Sequence, residues 1–290
     1  MLWAGLILTA PAAALGFEGT LKLRTVSVAR DQLGKVTGGS APDDAQALTI
    51  MPDTVLAVKD AGAQSQESMV YINGTKVRMD MALEPGKQGY AIIDTNKNTT
   101  WFVVPSEKRY MEWSDADAKA MGEKLAQVEK MLKERMASLP PEQRAQVENM
   151  LKGIKGADGT QAPPKVVAAP NGKTQTVNGM QAAGYQVKTG DETMVGWVTQ
   201  DQPELGKLLR TVQERMEDMT PPALRGQQSA RTSLTEKGFP VMVQTIDKDH
   251  YRIEEVLTVE KKTVPADMFV IPQEFAKTTG RDAIKNIPDK

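Results

Sequence analysis

Apolar and polar positions alternate along residues 17–29, FEGTLKLRTVSVA: Phe17, Leu21 and Leu23 share one side before the parity changes to Val26 and Val28. Alternation with period two predicts a half-buried strand, and the change of parity predicts a bulge or a strong twist within it. The run SMVYINGTKVRMDMAL repeats the pattern twice around Asn73-Gly74, the favoured pair for a type I′ hairpin turn. Val77, Met79 and Met81 fall on one face of its second strand, with Lys76, Arg78 and Asp80 on the other. GYAIID and TTWFVVP bound the polar hairpin loop TNKN, and SEKRYMEW supplies a third short strand.

The period then changes. Ser114 followed by Asp117 reads as a helix N-cap with its capping box, and Met121, Leu125, Val128, Leu132 and Met136 recur at three and four. SLPPEQ breaks this helix and starts a second, with a stripe of Val147, Met150, Leu151 and Ile154, so residues 115–155 are expected as a helical hairpin. Residues 156–173 read as a linker rich in small residues and proline. GYQVKTGDETMVGWVT returns to strand character around a turn at Gly190-Asp191. Asp201, Pro203 and Glu204 then start a helix whose stripe is Leu205, Leu208, Leu209, Val212, Met216 and Met219.

TPPALRGQQSARTS reads as a loop, and FPVMVQTI, HYRIEEVLTVEKKT and MFVIP read as strands. Residues 276–290 form a polar tail. Residues 30–67 fit neither period and are expected as a long inserted loop with room for a short helix. Together the elements predict an α+β fold, one antiparallel sheet with helices inserted on one face, spanning residues 15–275 as a single domain.

Composition removes more chemistry than any motif adds. The chain has no cysteine and one histidine, His250, so thiol nucleophiles, disulfides, iron–sulfur clusters and multi-histidine zinc sites are excluded. His250 lies in DKDHYRIE and reads as an ordinary residue where a turn enters a strand. A net charge of -1 provides no field for nucleic acid. At the N-terminus an apolar run from Leu2 to Ala10 precedes Ala12-Ala13-Ala14, which fits a signal peptide over residues 1–14, although no Lys or Arg precedes the run. That run is too short to span a bilayer, and no cysteine follows it to carry a lipid anchor, so a soluble, exported, periplasmic protein is expected.

The remaining motifs lose to simpler readings. Asp94-Thr95-Asn96-Lys97-Asn98 matches the opening of an EF-hand loop, but Thr99 and Pro105 stand where the glycine and the bidentate glutamate belong. The stretch is therefore a hairpin loop, and no metal or cofactor is expected. Asn73-Gly74-Thr75 and Asn98-Thr99-Thr100 match the glycosylation sequon but read as turns. Glu254 and Glu255 point to opposite faces of a strand and cannot converge on one substrate. With no phosphate loop, nucleophile elbow or HExxH motif, a non-enzymatic role is expected.

Several short motifs carry a resemblance. Arg78-x-Asp80, Asp94 before a polar loop, Pro105 ahead of Tyr110, Gly184-Tyr185, Trp197, Gly238-Phe239-Pro240 and Phe269-x-Ile271-Pro272 occur in this order. The chain resembles an uncharacterised bacterial envelope family, a domain of unknown function grouped with the LolA/LolB-like lipoprotein carriers, over residues 17–275. The resemblance implies a LolA-like, twisted antiparallel half-barrel sheet whose concave face is covered by inserted helices, with a groove that shields acyl chains. The 30–67 loop and the extended helical hairpin depart from that pattern.

The expected role is binding or carriage of an apolar ligand such as a lipid or acylated peptide. Val77, Met79, Trp101, Val103 and Trp197 would line the groove, and Met121, Leu125, Leu205, Leu209 and Met216 would form a lid, since methionine adapts to irregular apolar ligands. The alternative is a structural or assembly factor of the envelope that meets a protein partner through the helical hairpin.

Overall fold

The alternating runs form one open sheet in a computed structural model that describes residues 16–84, 86–136, 166–189, 192–219 and 225–279. Its strands are β1 (Glu18–Ala29), β2 (Gln64–Asn73), β3 (Lys76–Glu84), β4 (Lys87–Asp94), β5 (Thr99–Val104) and β6 (Arg109–Trp113). After the helical middle come β7 (Ala169–Val177), β8 (Met180–Thr189), β9 (Glu192–Thr199), β10 (Phe239–Ile246), β11 (His250–Lys261) and β12 (Ala276–Thr279). The order across the sheet is β12-β6-β5-β4-β3-β2-β1-β11-β10-β9-β8-β7, so β1 and β11 join the two halves and the ends do not meet. All pairings are antiparallel except β12 on β6.

The helices are α1 (Leu33–Thr37), α2 (Asp44–Ala47), α3 (Pro52–Ala57), α4 (Asp115–Met136), α5 (Pro203–Met219) and α6 (Arg225–Thr235). The Ser114 cap forms as expected: Ser114 N and Oγ donate to Asp117 Oδ2 at 2.9 and 2.6 Å. The second half of the expected 115–155 hairpin, the linker up to residue 165 and the Gly190-Asp191 turn lie outside the described residues. Thr189 and Glu192 pair directly across that turn.

The parity change in β1 is real. Leu21 and Val26 both enter the main core, and the β1–β11 register shifts between Lys22 and Leu23, where Leu257 is the extra residue on β11. At the first hairpin, Asn73 pairs with Lys76, so the turn residues are Gly74 and Thr75, with positive φ at Gly74 (59°) alone. That pattern belongs to a type II′ turn, in place of the expected I′ turn on Asn73-Gly74.

Four segments differ from expectation, one of them the end of the expected 156–173 linker, where Ala169–Lys173 belong to β7. Residues 30–67 are no loose loop: α1, α2 and α3 bury Leu33, Ala47, Leu48, Ile50, Val55 and Ala61 against the sheet. Each fully buried Leu, Ile or Val there is worth about 1.5–3 kcal/mol. TPPALRGQQSARTS holds all but the last two residues of α6, whose Ala230 and Leu234 pack over Val187, Met194, Val198 and Val243 in a second cluster on the opposite face. MFVIP is a 3-10 turn (Ala266–Phe269) and an irregular run; the last strand, β12, lies at the start of the expected tail. This run and the residues just before it carry Val264, Phe269 and Ile271 into a third cluster with Tyr90, Ile92 and Val103.

Candidate functional site

Across β8, β9 and β10 the register aligns Gln186, Val195 and Gln244, with Trp197 two residues along β9 beside Gly184 and Met242. Paired residues project to the same side of a sheet, so these side chains form one surface. α2 and the turn after it lie over that surface. Asp43 caps α2 with Gln46 in a capping box, and Arg30 anchors it by donating to Asp44 Oδ1 at 2.5 Å and to the Asp247 carbonyl at 2.9 Å.

A buried polar knot ties this cover to the sheet. Trp197 Nε1 donates to Gln244 Oε1 at 2.9 Å, and Gln244 Nε2 donates to the Ile50 carbonyl at 2.8 Å and to Tyr251 Oη at 2.9 Å. Tyr251 Oη also donates to the Ile50 carbonyl, at 2.9 Å. Burial pushes the Tyr251 hydroxyl well above the ordinary tyrosine pKa, against the hydrogen bond from Gln244, so it stays a donor at all ordinary pH. Both lone pairs of the Ile50 oxygen are therefore engaged.

Beside this knot an open pocket of roughly 590 Å³ lies between the cover and β7–β10. Leu48 and Met51 face it from the cover, Val195 and Trp197 from the sheet, and Lys173, Gln175 and Gln186 from its polar side. Its rim is built by a bulge: Pro170 pairs with Tyr185 and Thr174 with Ala183, so Asn171, Gly172 and Lys173 arch out opposite Gly184. Gly172 has φ 74°, and the Asn171 side chain occupies the space where a Cβ on Gly184 would sit, 2.3 Å from its Oδ1. Bulges re-aim side chains in this way beside binding sites. Gln175 Nε2 is buried without a hydrogen-bond partner among the described residues. Among the described residues Lys173 is the only charged one in the lining, so the pocket suits a molecule with an apolar body and a polar or anionic end.

The structure divides the sequence-derived lining residues between faces. Val77, Met79, Trp197, Leu205, Leu209 and Met216 belong to the main core, the first two in its distant β3 part. Trp101 and Val103 do not share their face: Trp101 pairs with Ile92, which pairs with Arg78, and both join the third cluster on the reverse side. The cause is a bulge at Leu83. Glu84 pairs with Lys87 but Ala82 with Gln88, and this one-residue slip sends every side chain beyond it to the opposite face. Of the nine whose side chains are described, Trp197 alone lines the pocket. Met121 is half-buried on α4, and the Leu125 side chain lies outside what the structure describes.

Asp94 acts as a loop-former, accepting from the N–H groups of Asn96 and Lys97 at 3.1 Å each. Arg215 on α5 holds the same loop through the Asn98 carbonyl and pairs with Asp115 Oδ1 at 2.5 Å. Glu254 and Glu255 diverge as expected: Glu254 takes two hydrogen bonds from Arg231 at 2.7 Å, and Glu255 takes Arg24 Nε at 2.5 Å. Sequence reading missed Leu48, Met51, Lys173, Gln175, Gln186 and Gln244. Gln244 alone left a legible trace, as a lone amide within the apolar run FPVMVQTI.

Comparison with curated proteins gives no match. Among solved structures, two crystal forms of PNGF-II, in space groups P21 and C2, are similar at TM-scores of 0.37 and 0.36 and 11% identity. Each match covers 92% of this chain but 34% and 33% of PNGF-II, so the chain spans about a third of that protein's length. Residues 118–275, more than half of the chain and including the pocket's entire sheet side, match the family described as Domain of unknown function (DUF4412), and the chain belongs to that family.

Proposed function

We propose that this protein is an exported, periplasmic, non-enzymatic binding or carrier protein for an apolar ligand with a polar end, a lipid or an acylated peptide. The ligand's apolar part lies against Trp197, Val195, Leu48 and Met51, and its polar end meets Lys173, Gln175 and Gln186. The observation that carries this reading is the pocket itself, whose roughly 590 Å³ falls within the range of about 300–1,000 Å³ usual for small-molecule sites. The unpartnered Gln175 Nε2 supports an acceptor, such as an ester or amide carbonyl, at the polar end. In this reading the open sheet is the half-barrel of the LolA-like carriers, and α2, α3 and α5 cover its concave side.

Native mass spectrometry of protein purified from the bacterial envelope tests this directly. A bound mass in the lipid range, lost in a Val195→Trp variant that fills the pocket, is expected. Protein that carries no lipid and takes up none when offered palmitate overturns the reading. The assembly-factor alternative has in its favour the exposed Met131 on α4, and it requires that deletion of residues 115–155 abolish capture of an envelope protein while the sheet stays folded.

A further inference from the structure

The ladder between β2 and β3 stops early. Asn73–Lys76, Ile72–Val77, Tyr71–Arg78 and Val70–Met79 pair, and among the described residues no pairing continues beyond them. β2 nevertheless runs back to Gln64, held by β1 as far as Ser27–Gln64, and β3 runs on to Glu84, held by β4. Residues 64–69 and 80–84 thus diverge as the arms of a fork, and each arm turns an unpaired strand edge toward the other. Between them lies a cleft of roughly 420 Å³, lined by Gln66, Glu67, Ser68 and Met69 on one arm and by Asp80, Met81 and Ala82 on the other. It shares no lining residue with the pocket beneath α2.

The side walls are fixed. Lys22 Nζ meets Glu67 Oε2 at 2.7 Å, and Arg78 Nε meets Asp80 Oδ1 at 3.0 Å. Arg78 also donates to the Met268 carbonyl at 3.1 Å and lies 3.7 Å from the centroid of the Tyr90 ring. These pairs neutralise one another, so the cleft attracts neither a strong anion nor a strong cation. An acyl chain would leave the two strand edges and the charged walls without polar partners. An extended backbone, by contrast, offers alternating N–H and C=O groups to such an edge.

We propose that the fork between β2 and β3 is a strand-addition site that takes an extended peptide segment of a partner protein, about five residues long. The segment pairs in the gap where the β2–β3 ladder is missing, and its alternate side chains lie between the Lys22–Glu67 and Arg78–Asp80 pairs. Open strand edges of this kind act as templates for another chain.

A capped synthetic peptide copying Lys22–Ser27, the segment that already pairs with the same stretch of β2 on its other edge, serves as the probe. Hydrogen exchange of the full chain is followed with and without it. Amides within 64–69 and 80–84 are expected to slow on addition, while 70–73 and 76–79 are protected from the start. Two further peptides carry N-methyl groups on alternate amides, in opposite phase. Each phase blocks pairing with one arm of the fork, so both are expected to bind at least tenfold more weakly than the parent. Exchange at 64–69 and 80–84 that the parent peptide leaves unchanged, or a methylated peptide that binds like the parent, overturns the proposal.

Discussion

Replacing Gln244 with leucine removes the centre of the knot that fixes the cover over the pocket. In the native protein the Gln244 amide accepts from Trp197 Nε1 and donates to Ile50 O and Tyr251 Oη. Gln244→Leu leaves the Ile50 carbonyl with its hydrogen bond from Tyr251, but it strands the indole N–H of Trp197, a residue 7% exposed. An unsatisfied buried donor costs about 1–3 kcal/mol. Tyr251→Phe differs: Gln244 keeps both Ile50 and Trp197, but the two hydrogen bonds of Tyr251 Oη are lost and one Gln244 N–H is left without an acceptor, again at about 1–3 kcal/mol. In the double variant Gln244→Leu/Trp197→Phe the stranded donor is gone, and the pair should cost less than the sum of the single changes, by about 1 kcal/mol or more. Urea unfolding followed by far-ultraviolet circular dichroism measures all four. Strict additivity of the double variant would refute the reasoning.

Other outcomes follow from the packing and the ion pairs. A Cβ on Gly196 would lie 2.5 Å from Leu234 Cδ2, so Gly196→Ala is expected to cost about 1–3 kcal/mol, with partial rescue by Leu234→Ala in the same unfolding assay. Glu254 has its pKa lowered: burial pushes it up, but the two hydrogen bonds and the charge of Arg231 outweigh this. The pair therefore adds stability above the ordinary glutamate pKa of about 4.3, and that stability is lost as pH falls through the depressed native value. Arg231→Met should flatten this acid-side slope in urea midpoints measured across pH 3–7. Removing the Ser114 cap by Ser114→Ala should cost about 0.5–2 kcal/mol and speed amide exchange in the first turn of α4.

Elements with a long, regular period were legible in the sequence: both early hairpins, the Ser114 cap and the α5 stripe. The cover was not, because helices of five, four and six residues are too short for a 3.6-residue stripe to build up. Their punctuation was nonetheless present, in the Asp43–Gln46 capping box, Pro52 in a first turn and left-handed Gly38 and Gly62. α6 hid for a related reason, since its buried positions in the second cluster are one alanine and one leucine. The face of each lining residue was illegible for a different cause. A regular β3–β4 hairpin would put Trp101 and Val103 on the side of Val77, and the single extra residue Leu83 reverses it. Neither composition nor periodicity announces a bulge, yet it decides which tryptophan meets a ligand.

That distinction gives the most direct test. Palmitate brominated along its chain quenches tryptophan on contact, and the protein is titrated with it as wild type, as Trp197→Phe and as Trp101→Phe. Quenching is expected in the wild type, retained in Trp101→Phe and lost in Trp197→Phe, because Trp197 lines the pocket and Trp101 packs on the reverse face. Quenching that survives Trp197→Phe, or that disappears with Trp101→Phe, would contradict a ligand site beneath α2.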